Sequence, residues 1–283
     1  MNNTYRDMLR EARQGGYAIP AFNYTDSWEF LAVMEAAEEL DAPVYAASAR
    51  NTVDIMGVDT CGILGTLAYK RTQGNLLNHL DHCASVQRCK AAVDAGYHSV
   101  MYDGSALPLD ENVQNSRMVS SYAKERGAFM EGEVGQILGR TEEGRYSGGA
   151  YIARIEDCIR MVEEGGVTSL AIGIGNRHGF YKTTPKLNIP LLAQASAVLD
   201  IPLVLHGSSG LDPEVIRACI QNGISKVNVG TELHYTYKSK VQEVIGKNPE
   251  DYAITSFALP AKEAMKEVAR RWIKLCGAEG KRH

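Results

Sequence analysis

The chain has 283 residues, 45% of them hydrophobic, and a formal charge of −4. That length suits one large α/β domain or two small ones, and charges of both signs interspersed without blocks argue against a nucleic-acid or membrane-surface protein. No apolar run approaches the roughly 20 residues that span a bilayer, and the first residues lack the apolar core of a signal peptide. Six scattered cysteines without a C-x-x-C pair then read as reduced thiols of a cytoplasmic protein.

Residues 17–23 read as a first strand, followed by a helix with Phe30, Val33, Met34 and Ala37 on one face. Residues 42–48 form a second strand, and a helical pattern near 62–69 leads to a third, which ends at Asp81-His82. Ser85 suits the N-cap of a helix that turns Val86, Cys89, Ala92 and Val93 inward and stops at Gly96. Strand four covers 99–103, its helix 110–126, and strand five 128–133. A polar, Gly-rich stretch from Gln136 to Gly149 interrupts the rhythm as a long loop, and such loops in compact domains are functional or disordered.

Helical periodicity resumes over 155–164. Strand six runs from Ser169, seven from Leu203 and eight from Lys226, with helices starting near Ile189 and Pro213 between them. Eight strand–helix alternations indicate a single α/β domain over 1–283, a (β/α)8 TIM barrel, with a doubly wound sheet as the alternative. An Ala-, Lys- and Glu-rich segment over 260–275 adds a C-terminal helix, over the barrel or as a subunit contact.

Three of these strands end in histidine: His82, His178 and His206. In this fold the C-terminal strand ends carry the active site, and Asp81, Asp103, Glu131, Glu133 and Asn228 fall there too. Neutral imidazoles suit zinc, and three protein ligands with an open position mark a catalytic centre. Cys83, beside His82, reads as a small residue at a turn and not as a ligand. His79 lies deeper in its strand and reads as a buried, hydrogen-bonded residue, while His98, His234 and His283 have no strand-end placement. Gly179, the turn Gly207–Gly210 and Asn228–Thr231 supply backbone N–H groups that can cradle an anion, phosphate above all. A metal beside an anion site, with an acid next to a ligand, suits Lewis-acid chemistry on a small phosphorylated carbonyl compound.

These residues fall in motifs. Pro20-Ala-Phe-Asn23, His79-Leu-Asp-His82, Glu131-Gly-Glu133, Ala171-Ile-Gly-Ile-Gly-Asn-Arg-His178-Gly179, Leu203-Val-Leu-His206-Gly207 and Lys226-Val-Asn228-Val-Gly-Thr231 resemble the class II, metal-dependent ketose-bisphosphate aldolases of the tagatose and fructose branch, over nearly the whole chain. The resemblance implies Zn2+ on His82, His178 and His206, with Asp81 protonating the aldehyde oxygen during condensation. It implies a dihydroxyacetone phosphate site at Gly179, Lys182, Gly207, Ser209, Asn228 and Thr231, with Asn23, Ser48, Ser208, Val229 and Gly230 among the substrate-binding residues. A monovalent cation (Na+ or K+) near that phosphate and a homodimer or homotetramer also follow. Asp103 and Glu133 match acids that hold a second metal or orient the ligands.

The departures from the family pattern matter as much. The loop acid that handles the proton at the nucleophilic carbon aligns with Thr141 without a gap and with Glu142 after a one-residue insertion; Glu143 is the neighbouring choice. Arg50 and Arg177 stand where small residues are usual, and the C-terminal arginine that meets the distal phosphate has no counterpart. The reading is an aldolase yielding dihydroxyacetone phosphate from a ketose 1-phosphate or 1,6-bisphosphate, with a non-standard distal group met by Arg50 or Arg177. An ordinary bisphosphate aldolase is the alternative, and a non-catalytic, metal-bearing companion subunit is the reading from another class.

Overall fold

Short runs of aliphatic and small residues, buried almost throughout, build eight parallel strands that close on themselves in the order β1-β11-β10-β8-β5-β4-β3-β2. The computed structural model describes residues 4–141, 144–146, 152–181, 183 and 185–282. Its strands are β1 (Ile19–Asn23), β2 (Val44–Ser48), β3 (Leu76–Cys83), β4 (Ser99–Tyr102), β5 (Phe129–Val134), β6 (Leu138–Thr141) and β7 (Gly144–Tyr146). They continue with β8 (Ser169–Ile172), β9 (Arg177–His178), β10 (Leu203–Leu205) and β11 (Ile224–Val229). The helices are α1 (Thr4–Gly15), α2 (Ser27–Glu39), α3 (Arg50–Met56), α4 (Val58–Arg71), α5 (Val86–Asp94) and α6 (Leu109–Glu125). After them come α7 (Ile155–Glu163), α8 (Ile189–Val198), α9 (Pro213–Gln221), α10 (Thr231–Lys247) and α11 (Ile254–Leu275).

The (β/α)8 barrel expected from the alternation is therefore present, and the doubly wound alternative is not. Boundaries and additions differ. The stretch read as one long loop contains β6 and β7, paired antiparallel, and β6 also runs parallel to β9. The eighth barrel strand begins at Ile224, two residues before Lys226. The last helix begins at Ile254 and carries Pro260 inside it, although proline favours a helix start and costs a backbone hydrogen bond in the interior. Helices α1 and α3 have no counterpart in the sequence pattern, and α10 is the helix that the alternation implies after the eighth strand. Ser85 does cap α5, accepting the Arg88 N–H. Among the described residues, no helix is long and apolar enough to cross a membrane.

Inward-facing residues stack in layers, as alternation along each strand requires. Met101, Ala171 and Val204 form an apolar cluster inside the barrel. Polar residues occupy other inward positions, with His79, Glu131 and Lys226 all buried.

Candidate active site

Strand β3 supplies two neighbouring polar groups to the mouth, and its geometry explains how. Successive residues of a regular strand face opposite sides. Here the register against β4 shifts between Leu80 and Cys83, and His82 takes a left-handed φ of 45°. A bulge of this kind re-aims a side chain, so Asp81 and His82 line the same cleft. Left-handed backbone at a non-glycine residue is costly and tends to mark functional sites.

His178 enters from β9 and His206 from the turn after β10. The rings of His82 and His178 lie 4.8 Å apart, those of His82 and His206 4.6 Å, and those of His178 and His206 6.1 Å. One nitrogen from each ring falls within 4.8 Å of the others. Hydrogen bonds fix which nitrogens face inward. His82 Nδ1 donates to Asp103 Oδ2 at 2.9 Å, which turns Nε2 toward His206 Nδ1 at 2.8 Å. His206 Nε2 donates to Glu131 Oε1 at 2.9 Å, and Lys226 Nζ donates to the other Glu131 oxygen at 2.8 Å. His178 Nε2 is buried without a hydrogen-bond partner. A buried ring nitrogen rarely stays unsatisfied without a reason. Three converging imidazole nitrogens, two oriented from behind by carboxylates, are the donor set that zinc takes.

Asp81 lies beside this centre between two amides. Asn23 Nδ2 donates to one of its oxygens at 2.8 Å and Asn228 Nδ2 to the other at 3.0 Å. Burial pushes its carboxyl up, but charge contacts with His82 above all, then His206, His79 and Lys226, hold it well below the usual range. Burial likewise pulls the His82 imidazole down, and Asp81, Asp103 and Glu133 outweigh it, to about 10. Burial lowers His206 and His178, with His82 reinforcing both. Asp103 sits at about 2, because its hydrogen bond and charge contact with His82 outweigh burial. Glu133 is raised well above its ordinary value by burial and by Asp103. Its Oε2 lies 3.8 Å from His82 Nδ1 and has no hydrogen-bond partner. His82, Asp103 and Glu133 thus form a second group of close donor atoms.

The anion cradle faces the same cleft. Gly179, Gly207, Ser208, Ser209, Asn228, Gly230 and Thr231 line it with Asn23. Gly207 must be glycine: its φ is 64°, and a Cβ would lie 2.3 Å from the Arg177 carbonyl oxygen. Asn176 donates to the His206 carbonyl at 2.9 Å, while the Tyr181 hydroxyl accepts the Arg177 N–H and donates to the Gly207 carbonyl. These two side chains tie the loop bearing His178 to the loop bearing His206, and neither carries a signal for that role in the sequence.

Some expected residues stand elsewhere. Ser48 is buried against the Tyr97 hydroxyl at 2.7 Å, and Val229 is fully buried; neither lines the cleft. Arg50, at the start of α3, is exposed and pairs with Asp54 at 3.4 Å. Arg177 is half-buried, its guanidinium carbon 5.2 Å from the centre of the Tyr181 ring. Lys182, Glu142 and Glu143 lie outside the described residues, as does the side chain of Thr141. His79 is the buried, hydrogen-bonded residue expected, between Ser99 and Lys226. His234, given no placement from the sequence, lines the cleft and pairs with Glu29. Its spacing, one helical turn beyond Thr231, was the available signal.

Comparison with known proteins gives one family. The family described as fructose-bisphosphate aldolase class-II matches residues 3–281. The 6-phospho-5-dehydro-2-deoxy-D-gluconate aldolase of Bacillus licheniformis is 36% identical over 279 residues, covering 98% of this chain and 95% of that protein. The enzyme of the same name from Bacillus subtilis is 34% identical, covering 98% and 96%. Among solved structures, the YdjI aldolase of Escherichia coli K12 superposes with a TM-score of 0.83 at 27% identity, covering 99% of this chain and 98% of that one.

Proposed function

This chain belongs to the class II fructose-bisphosphate aldolase family, and from that premise we propose that its substrate is a 5-keto-2-deoxyaldonate 6-phosphate. It is an aldolase, a carbon–carbon lyase that releases dihydroxyacetone phosphate from a phosphorylated ketose and takes a non-standard substrate. The proposed substrate is the one that names its Bacillus relatives. In such a compound the ketone at carbon 5 activates carbon 4, and carbon 3 bears the hydroxyl. Retro-aldol cleavage breaks the bond between carbons 3 and 4. Carbons 4 to 6 leave as dihydroxyacetone phosphate, and carbons 1 to 3 as 3-oxopropanoate, an aldehyde whose distal group is a carboxylate.

The observation that carries the chemistry is the meeting of three imidazole nitrogens and Asp81 in one cleft with the anion cradle. His82, His178 and His206 are the ligands we assign to zinc, which when bound supplies a Lewis acid that stabilises negative charge on a substrate oxygen. Asp81, ionised and fixed by Asn23 and Asn228, takes the proton from the carbon-3 hydroxyl in cleavage and returns it in condensation. Gly179, Gly207, Ser209, Asn228 and Thr231, with Lys182, hold the phosphate, and a sodium or potassium ion belongs nearby. Asp103 and Glu133 orient His82; the 2.9 Å hydrogen bond from His82 favours this role over a second metal position. Glu142 exchanges the proton at the nucleophilic carbon, from a segment whose flanking strand β6 is paired with β9 beside His178. Arg177 suits the distal carboxylate better than Arg50, which is already paired with Asp54. A cytoplasmic homodimer or homotetramer completes the reading; exposed Tyr252, Ile254 and Leu259 around the start of α11 support a subunit contact.

The test is dihydroxyacetone phosphate release from 6-phospho-5-dehydro-2-deoxygluconate against fructose and tagatose 1,6-bisphosphates, with and without a chelator. The deoxygluconate should give the highest kcat/KM. A bisphosphate that clearly wins would overturn the substrate and leave the aldolase standing.

A further inference from the structure

We infer that His234, held from behind by Glu29, is a specificity-determining residue that binds the phosphate of the dihydroxyacetone phosphate half. The inference rests on the aldolase reading above. His234 lies in the first turn of α10, three residues after Thr231, and lines the cleft beside Gly230, Thr231 and Ser209. Its Nδ1 is 2.9 Å from Glu29 Oε1, with the His234 side chain 28% exposed and the Glu29 side chain 6% exposed. Glu29 is itself fixed: it sits in the first turn of α2, and its second oxygen accepts the Thr25 N–H at 2.6 Å. A buried carboxylate locked to backbone therefore sets the ring orientation and fixes Nδ1 as the donor to Glu29. The same carboxylate offsets the charge of a doubly protonated ring, the form in which Nε2 donates to an anion.

Position selects which anion. The turn Asn228–Thr231 and the start of α10 present backbone N–H groups and the positive end of a 17-residue helix to the cleft. His234 is one turn further along that same wall, so the phosphate is the charged group within its reach. In the proposed substrate the distal carboxylate is separated from the phosphate by the reacting carbons, whose hydroxyl Asp81 would meet, so it falls at the other end of the bound chain. An ion pair that merely fastens α10 to α2 is the competing role, and it makes different predictions.

The experiment uses the full-length, zinc-loaded enzyme in the condensation direction, with dihydroxyacetone phosphate or unphosphorylated dihydroxyacetone as donor. His234→Asn should raise KM for the phosphorylated donor, and its preference over dihydroxyacetone, as a ratio of kcat/KM, should fall about 10–150-fold, the size of one charge-assisted hydrogen bond. His234→Gln, which keeps a donor at similar reach, should retain more of that preference. Glu29→Gln should lower it to an intermediate degree. Loss of both donors in parallel, or a rise confined to the aldehyde KM, would overturn the assignment. If His234→Asn misfolds, Glu29→Gln and His234→Gln decide alone, and parent-like preference in both also overturns it. A parent enzyme with no condensation activity would instead refute the aldolase reading. Calorimetric binding of inorganic phosphate, weakened in His234→Asn, would then still test the site.

Discussion

The rim of the barrel and the polar layer beneath it use the same residue types to opposite ends. At the rim, His82, His178 and His206 aim nitrogens at one point, and His178 Nε2, Glu133 Oε2 and Asn228 Oδ1 are buried without partners. One layer down, His79 lies between Ser99 at 2.9 Å and Lys226 at 3.2 Å, and Lys226 is paired with Glu131. None of those four side chains leaves a buried polar atom unsatisfied. Burial lowers His79 to about 3, with Lys226 reinforcing the shift, so the ring stays neutral. His79 and His82 are three residues apart on one strand. What separates a candidate ligand from a scaffold residue is thus the aim of its polar atoms, joined at His178 by the lack of any partner.

The largest expected effect breaks the rim. His178→Ala should lose metal by more than the ~10–100-fold typical of changes to groups that only support a ligand, and turnover should vanish with it. Metal content after dialysis and dihydroxyacetone phosphate release are the readouts; a variant that keeps both would show that the three nitrogens are not a metal centre. Next comes Asp81→Asn. It should keep its metal yet lose on the order of 10²–10⁴-fold in kcat, as befits a positioned acid and base. Cleavage at the parent rate would remove Asp81 from that role.

The layer beneath should fail differently. Lys226→Met leaves the buried Glu131 carboxylate without its cation, with only the His206 hydrogen bond remaining, which costs about 3–5 kcal/mol of stability. Because Glu131 also orients His206, metal affinity should fall by no more than ~10–100-fold. Denaturant melts and a metal titration check the two parts. Complete metal loss in a folded variant would erase the distinction between the layers.

Much of this was legible in the sequence, and the exceptions have physical causes. The barrel follows from eight alternations, and His82, His178 and His206 from strand ends that finish in histidine. His79 was separable from them because strand depth follows from position alone. By contrast, β6 and β7 were read as loop because four- and three-residue strands with glycine and arginine carry no apolar period. The tie that Asn176 and Tyr181 make between two loops is a tertiary fact with no local signature. Ser48 and Val229 are buried and do not line the cleft; Val229 follows Asn228 on β11, and successive strand residues face opposite sides. His234 has no strand-end position, and its place in the cleft comes from the first turn of the helix that follows β11.

The smallest predicted effect applies the same criterion to a residue at the rim. From the sequence, Arg50 was a candidate for the distal anion, because an arginine replaces a small residue after β2 and guanidinium suits carboxylate or phosphate. Its donors already have a carboxylate, however: Nε lies 3.4 Å from Asp54 Oδ2, and the side chain is 59% exposed. Asp54 in turn receives Arg88 at 2.8 Å, so the three charges form a small solvent-facing network over α3 and α5. Exposed pairs of this kind contribute about 0–1 kcal/mol, since water screens them and two long side chains must be ordered. Arg50→Ala should therefore change stability by less than about 1 kcal/mol and leave kcat/KM for the deoxygluconate within about twofold. Were Arg50 to swing inward onto the distal carboxylate, the loss would instead be about 10–150-fold for that substrate. Measuring kcat/KM for Arg50→Ala beside Arg177→Ala separates these outcomes. A loss confined to Arg50→Ala would mean that an already paired rim residue can still serve the substrate, and the criterion drawn from the two layers would not hold there.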